Sequence, residues 1–169
     1  MSSHYEAWSA PTRLAVGFMA GALATPLFHQ AMLAFLGSVG WTQVAAYSFA
    51  PTAPLGVPRV LSLTFWGGVW GMIFIHIQAR VPHDGWYWVF AIFLGALVLS
   101  TMNWFIWSPL KGNPVAAGWE PLRMRVGLVV NGAWGLGVAL IIRLVTQLRM
   151  QRFQISPSHD AADVLPSKR

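Results

Sequence analysis

Four apolar stretches, at about 14–37, 60–79, 86–107 and 122–145, occupy most of the chain. Each has about 20 residues or more, the length an α-helix needs to cross a hydrocarbon core of about 30 Å. The pattern predicts an all-α fold: a polytopic membrane protein whose four transmembrane helices form an antiparallel bundle. The organisation expected is a cytoplasmic N-terminal tail (1–13), one transmembrane domain (14–145) and a basic, disordered C-terminal tail (146–169) in which Met150–Phe153 prolong the last helix.

Small and polar residues recur inside the stretches. Gly17, Gly21, Thr25 and His29 repeat every four positions in the first, Gly67 and Gly71 in the second, and Gly127, Asn131 and Gly135 in the fourth. The matching face of the third is Ala96, Ser100 and Asn103. Small residues let helix backbones approach in lipid, where hydrophobic burial gives little drive, so these stripes are expected inside the bundle. Gly68-Val69-Trp70-Gly71 parallels Gly132-Ala133-Trp134-Gly135, either as a weak internal repeat or as the same packing solution used twice. Trp86, Trp88, Trp104 and Trp107 bracket the third stretch in the manner of interfacial belts.

The connections differ in character. Val81-Pro82-His83-Asp84-Gly85 has turn chemistry and predicts a hairpin of spans 2 and 3. The first connection holds Pro51, Pro54 and Pro58 and the third Pro109, Pro114 and Pro121, which reads as stiff loops. Trp41 and Tyr47 point to a short segment lying at the membrane interface. Arg13, Arg80, Arg143, Arg149, Arg152, Lys168 and Arg169 fall on the side of the termini, against Arg59, Lys111, Arg123 and Arg125 on the other. That bias favours both termini inside. The first stretch is expected to stay in place as a span, because its apolar run continues past the small residues Ala22 and Ala24 to Leu36.

Composition narrows the chemistry. Of 169 residues 56% are hydrophobic and 9% charged, against about 25% charged in a soluble domain. The net charge of +6 sits at span ends, where it meets membrane lipid; no nucleic-acid partner is expected. The chain has no cysteine, which removes disulfides, thiol nucleophiles and Cys-ligated metals. All five acidic residues lie outside the apolar stretches, which argues against a carboxylate-driven exporter.

Phe28-His29-Gln30 is the most unusual string. His29 is the one titratable group well inside the first stretch, and Pro26 frees a carbonyl one turn earlier, that of Ala22. An intramembrane ionisable residue is a functional candidate; a neutral histidine bonded to another helix is the plainer reading. At 1.5 Å rise per residue, His29 and Asn131 lie about 12–13 Å below the outer ends of their helices. Ser100, Asn103 and Thr64 lie about 6–10 Å below theirs. One polar layer in the outer half is therefore expected to collect His29, Gln30, Thr64, Ser100, Asn103 and Asn131. Arg125 stands above it as an anion partner or a snorkelling side chain. His76 lies roughly 15–20 Å deeper than His29, too far to share a haem with it. No metal site or cofactor is expected, and no hydrolase, kinase or nucleotide-binding signature is present.

Gly-Phe-Met-Ala-Gly (17–21), Phe-His-Gln (28–30), Gly-Val-Pro (56–58) and Leu-Ser-Leu-Thr-Phe-Trp-Gly-Gly-Val-Trp-Gly (61–71) resemble small uncharacterised four-span inner-membrane proteins of proteobacteria. The resemblance is best over the first two spans. It implies a bacterial inner membrane and four helices, and no activity.

Three functional readings follow. The foremost is a non-enzymatic membrane protein that binds a lipid, a small ligand or a partner subunit through the polar layer, with stripes that permit a homo-oligomer. The second is a small oligomeric transporter or channel gated at His29, whose ring titrates near its usual pKa of about 6.5 when wet. The third is an intramembrane enzyme or redox subunit.

Overall fold

The computed structural model describes residues 8–78, 80–81 and 85–155, with side chains described through 151. Pro82–Asp84, where the sequence predicts a turn, the acidic residues other than Glu120, and the segment from 156 onward lie outside the described residues. Among the described residues four helices are long and apolar enough to span a membrane, and they form an antiparallel bundle. These are α1 (Ala10–Ser38), α2 (Arg59–Gln78), α3 (Gly85–Leu110) and α4 (Pro121–Ile155). α4 thus runs ten residues past the apolar stretch that announces it, into the segment expected as tail.

Local chemistry sets the ends. Ser9 caps α1 by accepting the Thr12 N–H at 3.4 Å, and Pro11 sits in the first turn, where its missing donor costs nothing. Gly40 and Gly112 take φ of 78° and 76° just beyond α1 and α3. There the Trp41 N–H reaches back to the Leu36 carbonyl (2.9 Å) and the Asn113 N–H to that of Ser108 (3.0 Å). Such left-handed glycine stops satisfy carbonyls that the helix leaves open. Pro121 opens α4.

The first connection is more ordered than a stiff loop: Pro51–Thr52 (β1) pairs antiparallel with Val57–Pro58 (β2), forming a small hairpin packed on α2. Its Ala53–Pro54 peptide is cis. In the third connection, Ala116, Ala117, Gly118 and Trp119 form a single turn with φ between 51° and 74°.

Two glycine-lined contacts organise the bundle. Gly17 and Gly21 of α1 lie against Gly71 and Gly67 of α2: a Cβ on Gly17 would stand 2.7 Å from the Gly71 carbonyl oxygen, and one on Gly21 would strike that of Gly67. On the other side Gly95 of α3 lies against Asn131 and Gly135 of α4, and Gly135 against the Ala91 carbonyl. α1 joins the two pairs by packing on α4, with the Phe28 ring over Gly137. The helices therefore run α2–α1–α4–α3 around the bundle. α2 and α3, though neighbours in the chain, have no continuous contact. The side chains left exposed on the outside, such as Leu23, Leu27, Ile73, Ile92, Phe93 and Leu144, are the apolar ones that lipid solvates.

The α3 face differs from the Ala96–Ser100–Asn103 stripe, for a geometric reason. Leu94–Leu99 is a π-helical turn, as are Thr25–Gln30 in α1 and Asn103–Trp107 in α3. The wider turn brings residues five apart onto one face. Gly95 consequently joins Ser100 against α4, in backbone contact with Asn131 and Gly135, while Ala96 packs beside Gly132.

Candidate functional site

The two ends of the bundle are packed differently. In the half near the chain termini the interior is filled by Phe74, Ile75, Tyr87, Val138 and Ile142, each at most 2% exposed. Gln78 donates to the Tyr87 hydroxyl, which donates to the Ala139 carbonyl at 2.9 Å, tying α2, α3 and α4 together. His76 also belongs to this half. Its Nδ1 donates to the Met72 carbonyl (3.0 Å), leaving Nε2 to receive the Arg13 guanidinium (3.4 Å). It shares nothing with His29.

In the far half the four helices and their connections line a half-open cavity of about 910 Å³. α4 contributes Arg123, Val126, Gly127, Val130, Asn131 and Trp134, a stripe at three- and four-residue spacing. α1 contributes Thr25, His29 and Leu33, and α2 a face from Arg59 to Trp70. α3 contributes Leu99, Asn103, Trp104, Trp107 and Ser108, and Lys111 follows at its end. All three π-helical turns supply lining residues, and such turns frequently mark functional sites. Trp66, Trp70, Trp104, Trp107 and Trp134 form most of the aromatic wall. Trp104 and Trp107 thus turn inward rather than serving only as a belt.

The polar residues divide into three groups. His29, Asn103 and Asn131 line the cavity together. Gln30 and Ser100 stand behind them, 2% and 0% exposed. The Asn131 side-chain amide donates to the Ser100 hydroxyl at 3.0 Å, which fixes the orientation of the asparagine. Gln30 accepts the Tyr47 backbone N–H at 2.8 Å through Oε1, so its Nε2 is the atom 3.1 Å from His29 Nδ1. An amide nitrogen only donates, so His29 Nδ1 accepts and the neutral ring carries its proton on Nε2.

Thr64 and Arg125 do not line the cavity. At 100° per residue, Thr64 stands about 200° round α2 from Ser62 and Trp66, and Arg125 the same angle round α4 from Arg123. The cation that does face the cavity on α4 is Arg123, whose Nε pairs with Glu120 at 2.6 Å on the surface. Gly127 is likewise a lining residue rather than a close backbone contact; the nearest atoms to a Cβ there would be those of the Trp104 ring, from 3.4 Å.

The carbonyl that collects side-chain donors is Gly21's: it accepts the Thr25 backbone N–H, the Thr25 hydroxyl (3.0 Å) and the Trp134 indole N–H (3.1 Å). The Pro26 carbonyl itself accepts the Tyr47 hydroxyl at 2.8 Å. Tyr47, with φ of 54°, therefore clasps the first connection to the π-helical turn at two points. Tyr47→Phe is expected to speed amide exchange across residues 44–48 while lowering bundle stability by about 1 kcal/mol or less. Unchanged exchange in that segment would show that the hydroxyl bond contributes nothing to its order.

No protein family, curated protein or solved structure matches the chain.

Proposed function

We propose that this is a multi-pass protein of a bacterial inner membrane, with both termini cytoplasmic, that binds a lipid-like small molecule without chemically altering it. The observation that carries this reading is the cavity of about 910 Å³ in the far half, apolar and aromatic over most of its wall, with His29, Asn103 and Asn131 as its convergent polar groups. Ligand sites generally have this composition, at about 300–1,000 Å³. The second-layer bonds from Ser100 and Gln30 hold Asn131 and His29 in fixed orientations, the preorganisation a binding site needs. Packing of Trp134, Phe74 and Tyr87 beneath the cavity favours this reading over a pore through the bundle.

Native mass spectrometry of the gently extracted protein tests it. The wild-type chain is expected to carry a small amphiphile, and Gly127→Leu, which fills the cavity without striking a backbone, is expected to run bare with the same helical content. A wild-type chain that is bare under every mild extraction would refute the reading.

A further inference from the structure

We infer that the ligand is an anionic lipid drawn sideways from the surrounding leaflet through the seam between α2 and α3, its acidic headgroup held by Arg59 and Lys111. This rests on the cavity being a ligand site and adds the ligand's class and its route.

The seam is open by construction. α2 and α3 are tied at the near end by Gln78 and Tyr87, and at the far end the Trp66 and Trp107 rings approach to 5.1 Å between centroids. Between these ties lies an apolar crevice of about 20 Å³, lined by Trp70, Ile73, Leu94, Val98 and neighbours. It shares Trp70, Leu99 and Trp134 with the large cavity, so the two spaces adjoin along the seam, with Trp134 between them. Ile73 and Val98 are also 43% and 38% exposed, and Leu61, Phe65 and Trp66 of the cavity wall 42–55%, so the seam gives onto lipid. From Arg59 to Trp70 the large cavity extends about 17 Å along α2, about the depth of one leaflet of a core about 30 Å thick.

Charge selects the headgroup. Arg59 and Lys111 both line the cavity and are exposed. Among the described residues neither has a carboxylate partner: the one acid there, Glu120, pairs with Arg123. A hydrocarbon-walled groove ending at two unpaired cations is complementary to a molecule with a long tail and an acidic head.

The test uses the full chain in phosphatidylcholine vesicles containing a small fraction of phosphatidylglycerol brominated on its chains, or of phosphatidylcholine brominated in the same way. Bromine quenches tryptophan, and five of the ten tryptophans line the cavity. Quenching is expected to favour the anionic lipid by about fivefold for each cation. R59Q/K111Q should abolish the preference, and R125Q, a cation at the same end but off the cavity, should keep it. Equal quenching by both lipids, a preference that survives R59Q/K111Q, or an equal loss in R125Q would overturn the inference. Release by soluble glycerol phosphate would overturn it too, making the ligand a free anion. Gly127→Leu separates the two levels. If it removes quenching by both lipids without discrimination, the cavity site stands and the anionic class falls; if it changes neither, the site itself falls.

Discussion

Alanine at Gly21 is expected to force α1 away from α2 and to cost the bundle about 3 kcal/mol or more, read as loss of thermal stability in detergent. The added methyl has nowhere to go. It would run into the Gly67 carbonyl and stand 2.9 Å from the Gly71 Cα, all backbone atoms that no rotamer change can move. Overpacking against side chains is relieved by small shifts; here whole helices must separate, and with them the Thr25 and Trp134 bonds to the Gly21 carbonyl. Gly37→Ala in the same helix is the control. Its Cβ would meet only the Thr42 carbonyl oxygen at 3.9 Å, and replacing a helical glycine there is expected to be neutral or stabilising by up to about 1 kcal/mol. Equal melting of the two variants would mean that the glycine contact is not what holds α1 to α2.

Trp134→Ala is the second large effect, at about 3–5 kcal/mol. The ring is 2% exposed, stacks edge-on with Phe74 at 6.1 Å, and separates the large cavity from the crevice below it. Its removal both hollows the packed half and merges the two spaces. Trp134→Phe is expected to lose only about 1 kcal/mol. It keeps a ring, and the Gly21 carbonyl retains its two bonds from Thr25. A Phe variant as unstable as the Ala variant would place the stabilisation in the indole N–H rather than in the filled volume. Thermal melts of the three proteins decide this.

The four spans were legible because runs of 20 apolar residues have few other uses, and the close faces of α1, α2 and α4 because glycine recurs at helical spacing. His29, Asn103 and Asn131 share a cavity for the reason depth gives: rises of about 6–13 Å from one membrane face put them in one outer layer. What periodicity missed was rotation. Thr64 and Arg125 satisfy the depth argument and fail the angular one, and in an apolar bilayer hydrophobicity does not say which side of a helix is inside. Gly95 was hidden by the π-helical turn, which breaks the four-residue spacing that would have revealed it. Pro26 signals the π-helical turn in α1; nothing comparable in the sequence marks the two in α3. The clasp by Tyr47 depends on a left-handed backbone at a non-glycine residue, which composition does not announce.

The order α2–α1–α4–α3 has a consequence for how the molecule assembles. Loop-closure entropy makes the contact between the most closely connected elements the least costly to form. Here that pair is α2 and α3, joined through residues 79–84, yet they touch chiefly at their ends. α1 and α2 close a 20-residue connection and α3 and α4 a ten-residue one, and the bundle is completed by docking α1 on α4 across the length of the chain. The polypeptide thus bears the entropic cost of its most distant contact and leaves unmade the one that topology offers most readily. The first pair can reach its final packing before α3 is synthesised, and the assembled fold retains a face between α2 and α3 that its own side chains do not close.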